Sequence, residues 1–254
     1  MKDLRYALRM LFKRPGLAIA AIMTLGLGIG ANTIIFSGVY TLLLQSPPYP
    51  NAERLMIISQ TRAGGVETGV SHADFSEWKE HSDSFDAMAA SKNINVNLTD
   101  RQPVERVGGS LVTEEFFPLL GGNPLIGRGF LEEDFRAGST RTVVLSYVFW
   151  QRKFGGSENV IGKQILLNDE PFTIIGVMPA SFQHPFRCRF WTPLGADEKP
   201  KTLQDRSALD YEIIAALKAD TSPDQATSEM AILVHRSAEA NNVDEEMKVK
   251  VISL

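Results

Sequence analysis

The feature that most limits what this chain can become is the stretch Leu17 to Leu44, LAIAAIMTLGLGIGANTIIFSGVYTLLL, 28 residues without an Asp, Glu, Lys or Arg. About 20 apolar residues in a helix suffice to cross the hydrocarbon core of a bilayer. A helix also pairs its own backbone donors and acceptors, which lipid cannot do. Residues 17–44 are therefore read as a retained transmembrane helix. Two readings compete with this one. A cleaved signal peptide has an apolar core of about 7–15 residues followed by a small-residue cleavage site, whereas this run is far longer and ends on Leu42, Leu43 and Leu44. A buried core helix is normally shorter than a span.

The flanks set the direction. Lys2, Arg5, Arg9, Lys13 and Arg14 precede the span against Asp3 alone, and Gln45 to Asn51 carries no charge. Basic residues beside a span favour the cytoplasmic side, so the N-terminus is expected in the cytoplasm and residues 45–254 outside it. Residues 1–16 are predicted to form a basic amphipathic helix. Leu4, Ala7, Leu8, Leu11 and Phe12 recur on one face and Arg5, Arg9 and Lys13 on the other. Such a helix lies on a membrane surface, with Arg5, Arg9, Lys13 and Arg14 toward anionic headgroups; membrane lipid is thus an expected partner. Pro15-Gly16 breaks that helix before the span. Within the span, Gly26 and Gly30 form a small-xxx-small pair that permits close helix approach. Asn32, Thr33 and Ser37 are polar at membrane depth, which suggests a protein-facing side. Gly26, Gly30 and Asn32 are the candidate packing residues.

Composition narrows the remaining classes. About 200 residues follow the span, enough for one large domain or two small ones. The net charge is −4 and no basic patch occurs outside the first 14 residues, so no nucleic acid is expected as a partner. A single cysteine, Cys188, rules out an intrachain disulfide.

After the stiff linker Ser46-Pro47-Pro48-Tyr49-Pro50, Arg54 to Gln60 reads as a strand and Thr61 to Val70 as a loop. Ser71 with Asp74 opens a helix in capping-box fashion, and Phe75 and Trp78 face the core. Helical character continues over Phe85 to Ala90. Ile94 to Leu98 and Val104 to Val112 read as strands, and Thr113 as the cap of a short helix from Glu114 to Leu120. A second unit follows: strand Thr142 to Ser146, helix Tyr147 to Phe154 closed by Gly155-Gly156, a hairpin turning at Asn168-Asp169, and a short extended piece from Trp191 to Leu194. A third unit has a strand from Asp210 to Leu217, a helix capped by Ser222 with Pro223 at its first position, and a strand from Lys248. The first and third units share a strand–helix–strand plan around a different middle, which predicts an α+β domain with an insertion.

The chain contains no catalytic pattern. There is no G-x-x-x-x-G-K-[ST], H-E-x-x-H, C-x-x-C or G-x-S-x-G. His72 and Asp74 are too few for a metal site, which needs three or four ligands. Glu132, Glu133 and Asp134 read as a solvated acidic loop. No catalytic, cofactor-binding or metal residue is assigned, and no cofactor is expected. A tethered extracytoplasmic domain without catalytic groups does binding or mechanical work.

DLRYALRMLFKRPGLAIAAIMTLGLGIGANTIIFS at the N-terminus, PPYPNAERL at 47–55, HADFSEW at 72–78 and FFPLLGGNPLIGRGF at 116–130 resemble MacB/FtsX-type ABC transporter permeases with a MacB-like periplasmic core domain. VVLSYVFWQRKFGG at 143–156, VIGKQILLNDEPFTIIGVMP at 160–179 and WTPL at 191–194 extend the resemblance over nearly the whole chain. The resemblance implies porter-like strand–helix–strand units, 51–124 and 201–254, interrupted by a mixed α/β lobe at 125–200. It implies a non-catalytic permease component of a bacterial inner membrane that pairs with a cytoplasmic ABC ATPase subunit and a second permease chain or half. ATP hydrolysis by the partner would drive efflux or extraction of a substrate on the periplasmic side. The family has further membrane helices beyond the core domain, so this chain is expected to be a truncated portion. The alternatives are a single-pass periplasmic binding or scaffold protein and a non-functional fragment.

Overall fold

The computed structural model describes residues 15–43, 49–61, 67–100, 103–195, 204–241 and 247–254. Contacts divide the chain into two units, Met1–Pro47 and Pro48–Leu254.

The first unit is described from helix α1 (Pro15–Leu43), 29 residues long. Proline suits a first helical position because its missing N–H has no partner there anyway, so Pro15-Gly16 begins this helix. The Thr24 hydroxyl donates to the Ala20 carbonyl, and that of Thr33 to the Ile29 carbonyl at 2.8 Å. Both hydroxyls thus have partners within α1 itself, and Thr33 does not require a second protein surface. The side chains of α1 are described at 16, 19–20, 23–33 and 36. Among the described residues no helix is long and apolar enough to cross a membrane. The basic helix expected over 1–16, with Arg5, Arg9, Lys13 and Arg14, lies outside the described residues but for its last two.

In the second unit the described residues form one mixed sheet of 11 strands. Strand β1 (Leu55–Thr61) leads through β2 (Glu67–Thr68) to helix α2 (His72–His81) and the long strand β3 (Phe85–Leu98). Strand β4 (Glu105–Val112) and the short helix α3 (Phe116–Leu119) follow. The middle of the chain supplies β5 (Ile126–Gly127), β6 (Thr142–Leu145), α4 (Tyr147–Phe154), β7 (Gln164–Leu167), β8 (Glu170–Val177) and β9 (Phe190–Pro193). Strand β10 (Tyr211–Leu217), helix α5 (Pro223–Asn241) and strand β11 (Lys248–Ser253) close the chain.

The sheet runs β11-β1-β10-β3-β4-β9-β6-β8-β5. Its first four strands are antiparallel neighbours and form two interleaved β-α-β units, β1-α2-β3 and β10-α5-β11. Helices α2 and α5 cover one face through Phe75, Trp78, Ala226, Met230, Leu233 and Val234. Part of the other face, at Leu55, Ala89 and Ile214, is covered by Phe116, Phe117 and Phe182. The remaining strands curl round. Strand β4 pairs parallel with β9, β7 pairs with β8, and Leu167 of β7 reaches back to Leu98 of β3. The circuit β3-β4-β9-β6-β8-β7 therefore closes on itself. Gly109 makes this curl possible: a β carbon there would lie 2.2 Å from the Phe190 ring.

Several local expectations hold. Ser71 Oγ accepts the Asp74 N–H at 3.0 Å, and Phe75 and Trp78 are buried. Asn168 and Asp169 have φ of 52° and 66°, the left-handed pair that a two-residue hairpin turn requires. Gly155 ends α4 at φ 61°. Ser222 Oγ accepts the Gln225 N–H at 3.2 Å ahead of Pro223.

Four expectations are corrected. Phe85 to Ala90 is not helical; it is the first half of β3, paired with β10. At Met88, Ala89 and Ala90 both faces of the sheet are covered, which removes the alternation that marks a strand. Thr113 does not cap a helix with its side chain. Its Oγ1 accepts the Ala90 N–H at 3.0 Å, and the helix covers only Phe116–Leu119. The loop from Thr61 to Val70 contains β2. Asp134 is not solvated: it is 5% exposed and joined to Arg128 by two hydrogen bonds, 2.6 and 3.2 Å.

Candidate functional site

Three places in the second unit gather polar groups. The largest is a cleft of about 490 Å³ beside α2. His72, Phe75, Ser76 and Lys79 reach it from one helical face, at spacings of three and four, and Glu115, Phe135 and Leu194 line the other side. Lys79 and Glu115 form an ion pair there. The His72 ring stands edge-on to Phe75 and Tyr211, with centroids 6.1 and 5.7 Å away. Ser76 Oγ is 3.5 Å from His72 Nδ1, too far for a working Ser–His pair. Its hydroxyl donates instead to the His72 carbonyl at 2.9 Å. The cleft thus offers one cation, several carboxylates and an apolar floor, a binding surface without an activated nucleophile.

The second place ties the helices together. Asp74 receives Arg206 and Ser237, and Glu77 receives Arg206 at 2.9 Å and Ser237 at 3.0 Å. Glu229 of α5 accepts the Asp83 and Ser84 N–H groups at 2.6 and 2.9 Å and the Ser82 hydroxyl at 3.2 Å. Burial acts to raise the Glu229 pKa, but these three donors, together with the Ser84 side chain, outweigh it and hold the carboxyl below its ordinary value. The same balance holds at Asp134. Burial acts upward, and the bonds from Arg128, the Leu131 N–H and Thr142 bring the net shift downward.

The third place surrounds Tyr49. Its ring meets those of Phe182 and His184 edge-on at 6.3 Å each. His184 Nε2 lies 2.8 Å from Glu212 Oε1 of β10, and the His184 carbonyl accepts the Trp191 indole N–H at 3.1 Å. The loop 178–189 is thereby pinned to the sheet. Burial of the Tyr49 phenol raises its pKa. The Cys188 thiol donates to the Phe190 carbonyl at 2.9 Å, and burial pushes its pKa up to about 12, so it is no thiolate at neutral pH.

The expected packing residues lie on α1. A β carbon on Gly26 or Gly30 would meet nothing within 4 Å. Four residues bring these two to one face, whereas at about 100° per residue Asn32 falls roughly opposite Gly30. His72 and Asp74 do not come together as metal ligands: His72 packs on rings and Asp74 binds Arg206. Among the described residues no group of three or more His, Cys, Asp or Glu could hold a metal ion. Lys79, Glu115, Arg206 and Glu212 escaped the sequence reading because each finds its partner at long range, and no local spacing marks such pairs.

Comparison with known proteins agrees with this architecture. The family described as MacB-like periplasmic core domain matches residues 18–233. A domain of a permease protein from Porphyromonas gingivalis is 16% identical, with 81% of this chain and 93% of that one covered and a TM-score of 0.62. The periplasmic region of MacB from Actinobacillus actinomycetemcomitans is 15% identical, with 78% and 88% covered and a TM-score of 0.58. The extracellular domain of the ABC-type transporter YknZ from Gram-positive bacteria is 13% identical, with 77% and 98% covered and a TM-score of 0.57. None of the curated proteins matches the chain. With most of its length matched by one family and its fold shared with such domains, the chain belongs to the family of the MacB-like periplasmic core domain, the kind of domain that permease-type components of ABC transporters carry.

Proposed function

We propose that this chain is the membrane-anchored extracytoplasmic part of an ABC transporter permease subunit. In this reading Leu17 to Leu44 spans a bacterial inner membrane, with the basic N-terminus in the cytoplasm. The span counts the full uncharged stretch, including residues whose side chains lie outside the described set. The observation that carries the proposal is continuity: the family match begins at residue 18, inside α1, and runs on to residue 233 in α5. Residues 51–124 and 201–254 act as the porter-like part and 125–200 as an inserted lobe. The chain has no catalytic role of its own. A cytoplasmic ABC ATPase hydrolyses ATP, and a second permease chain or half completes the assembly, so that movement in the membrane reaches the periplasmic domain and exports or extracts a substrate. Gly26 and Gly30 form one packing face of the span and Asn32 meets a different neighbour.

A reporter that is active only outside the cytoplasm, fused after Leu254, tests the topology. Activity together with resistance to alkaline carbonate extraction supports the proposal. An inactive reporter, or release by carbonate, overturns it. Gly26→Leu combined with Gly30→Leu should lower crosslinking to neighbouring helices in membranes, and unchanged crosslinking would remove the packing face.

A further inference from the structure

The loop 178–189 carries a group of side chains that the fold does not use. Phe186 is 76% exposed, and Val148 at the start of α4 is 57% exposed. Both line a cleft of about 190 Å³ together with Tyr147, Gln183, Arg187 and Arg189. Two arginines line this cleft and no carboxylate does, although the chain as a whole carries a net charge of −4. The Arg187 guanidinium lies over the Phe186 ring, 5.2 Å from its centroid. Arg187 has φ 66°, a left-handed conformation that a non-glycine residue rarely adopts and that the surrounding structure must hold. The loop beneath this tip is firmly anchored, by His184 on Glu212 and by Phe182 in the core. An exposed aromatic residue on an anchored, strained tip with two cations beside it has the chemistry of a lipid-interface contact.

Covalent connection places the loop within reach of such an interface. This step rests on the proposed span. Tyr49 lies five residues beyond Leu44, and five extended residues reach about 18 Å at most. Tyr49 packs directly on Phe182 and His184, two residues before Phe186. Chain length alone therefore limits the separation of Tyr49 from Leu44 to that distance.

We infer that the tip of loop 178–189 docks on the membrane surface, with Phe186 and Val148 in the headgroup–acyl boundary and Arg187 and Arg189 on anionic phospholipid headgroups. The contact would steady the domain against the membrane from which its movements come.

The full chain reconstituted in lipid nanodiscs tests this. An environment-sensitive fluorophore is attached through Phe186→Cys, or through Ile232→Cys as control. Ile232 is exposed on α5, over the opposite face of the sheet. Labelling of the unsubstituted chain checks that the half-buried Cys188 stays silent. In discs containing phosphatidylglycerol, the dye at 186 should shift to the blue and be quenched by headgroup spin-labelled lipid at least about twofold more than the dye at 232. Arg187→Gln and Arg189→Gln should each lower the lipid-seated fraction about fivefold, as expected for one basic residue at an anionic surface. A water-like dye at 186 in a chain that resists carbonate extraction overturns the loop contact and leaves the span standing. A blue-shifted dye that lipid spin labels do not quench also overturns it, in favour of a contact with a second copy. Release of the chain by carbonate removes the span and this inference with it.

Discussion

The two strand–helix–strand units, β1-α2-β3 and β10-α5-β11, share one plan and solve it in different ways. Helix α5 begins on its own resources. Ser222 Oγ accepts the Gln225 N–H and Gln225 Oε1 accepts the Ser222 N–H at 2.9 Å, both exposed. Helix α2 begins on Ser71 and Asp74, both buried, and beyond the Ser71 hydroxyl the Asp74 carboxylate takes Arg206 and Ser237 of α5. The turn after α2 is likewise gripped by Glu229 of α5. Polar ties therefore run from the second unit to the first. Both helices are capped by their own serine, but the buried carboxylate at the α2 start also needs distant donors, so α2 is positioned only when the whole domain has assembled.

This asymmetry can be broken from its centre outward. The largest effect is expected at the middle of α2. Trp78 is fully buried, and Trp78→Ala should destabilise the domain by about 4 kcal/mol, against about 3 kcal/mol for Met230→Ala in α5. Urea unfolding followed by circular dichroism measures both. Next comes the charge at the α2 start. Asp74→Ala leaves Arg206 without one of its carboxylates and takes an acceptor from the Ser71 and Ser237 hydroxyls, so a loss of about 3 kcal/mol is expected. An effect equal to that of a surface substitution would show that the α2 start depends on distant donors no more than that of α5.

Glu229 sharpens the comparison through pH. Its folded pKa lies below its unfolded value, so its contribution is fully present above about pH 4.3, the ordinary glutamate value, and is lost as pH falls through the folded value. Glu229→Gln should therefore cost stability at pH 6, and its difference from the parent chain should shrink as pH approaches 3. A constant difference across that range would mean that the carboxylate charge is not what grips the turn. The smallest effect is expected for Ser222→Ala, about 1 kcal/mol, the ordinary worth of an exposed cap. It should leave the packing around Trp78 unchanged, as read by tryptophan fluorescence.

The legible parts of the fold are those in which neighbours in sequence satisfy one another. Ser71 with Asp74, Asn168 with Asp169, Gly155 after Phe154 and Ser222 before Pro223 are each set by local sterics and local hydrogen bonds. Phe85 to Ala90 misled because Ala and Met favour helix in isolation, and only the helices on one face and α3 on the other make that segment a doubly covered strand. Asp134 misled because an acidic run reads as solvated until Arg128, held by the preceding loop, turns back onto it. The cleft beside α2 was not legible at all, since Lys79 and Glu115 lie 36 residues apart.

Sequence alone determined the uncharged stretch at the N-terminus, the starts of α2 and α5, the hairpin turn and the two-unit plan, because each depends on residues a few positions apart. The tertiary structure alone decided that β10 would lie between β1 and β3, that β7 would close the circuit onto β3, and that Arg206, Ser237 and Glu229 would complete α2. These choices join residues far apart in the chain, and only the burial of apolar faces common to many elements selects among the pairings that local propensity leaves equal.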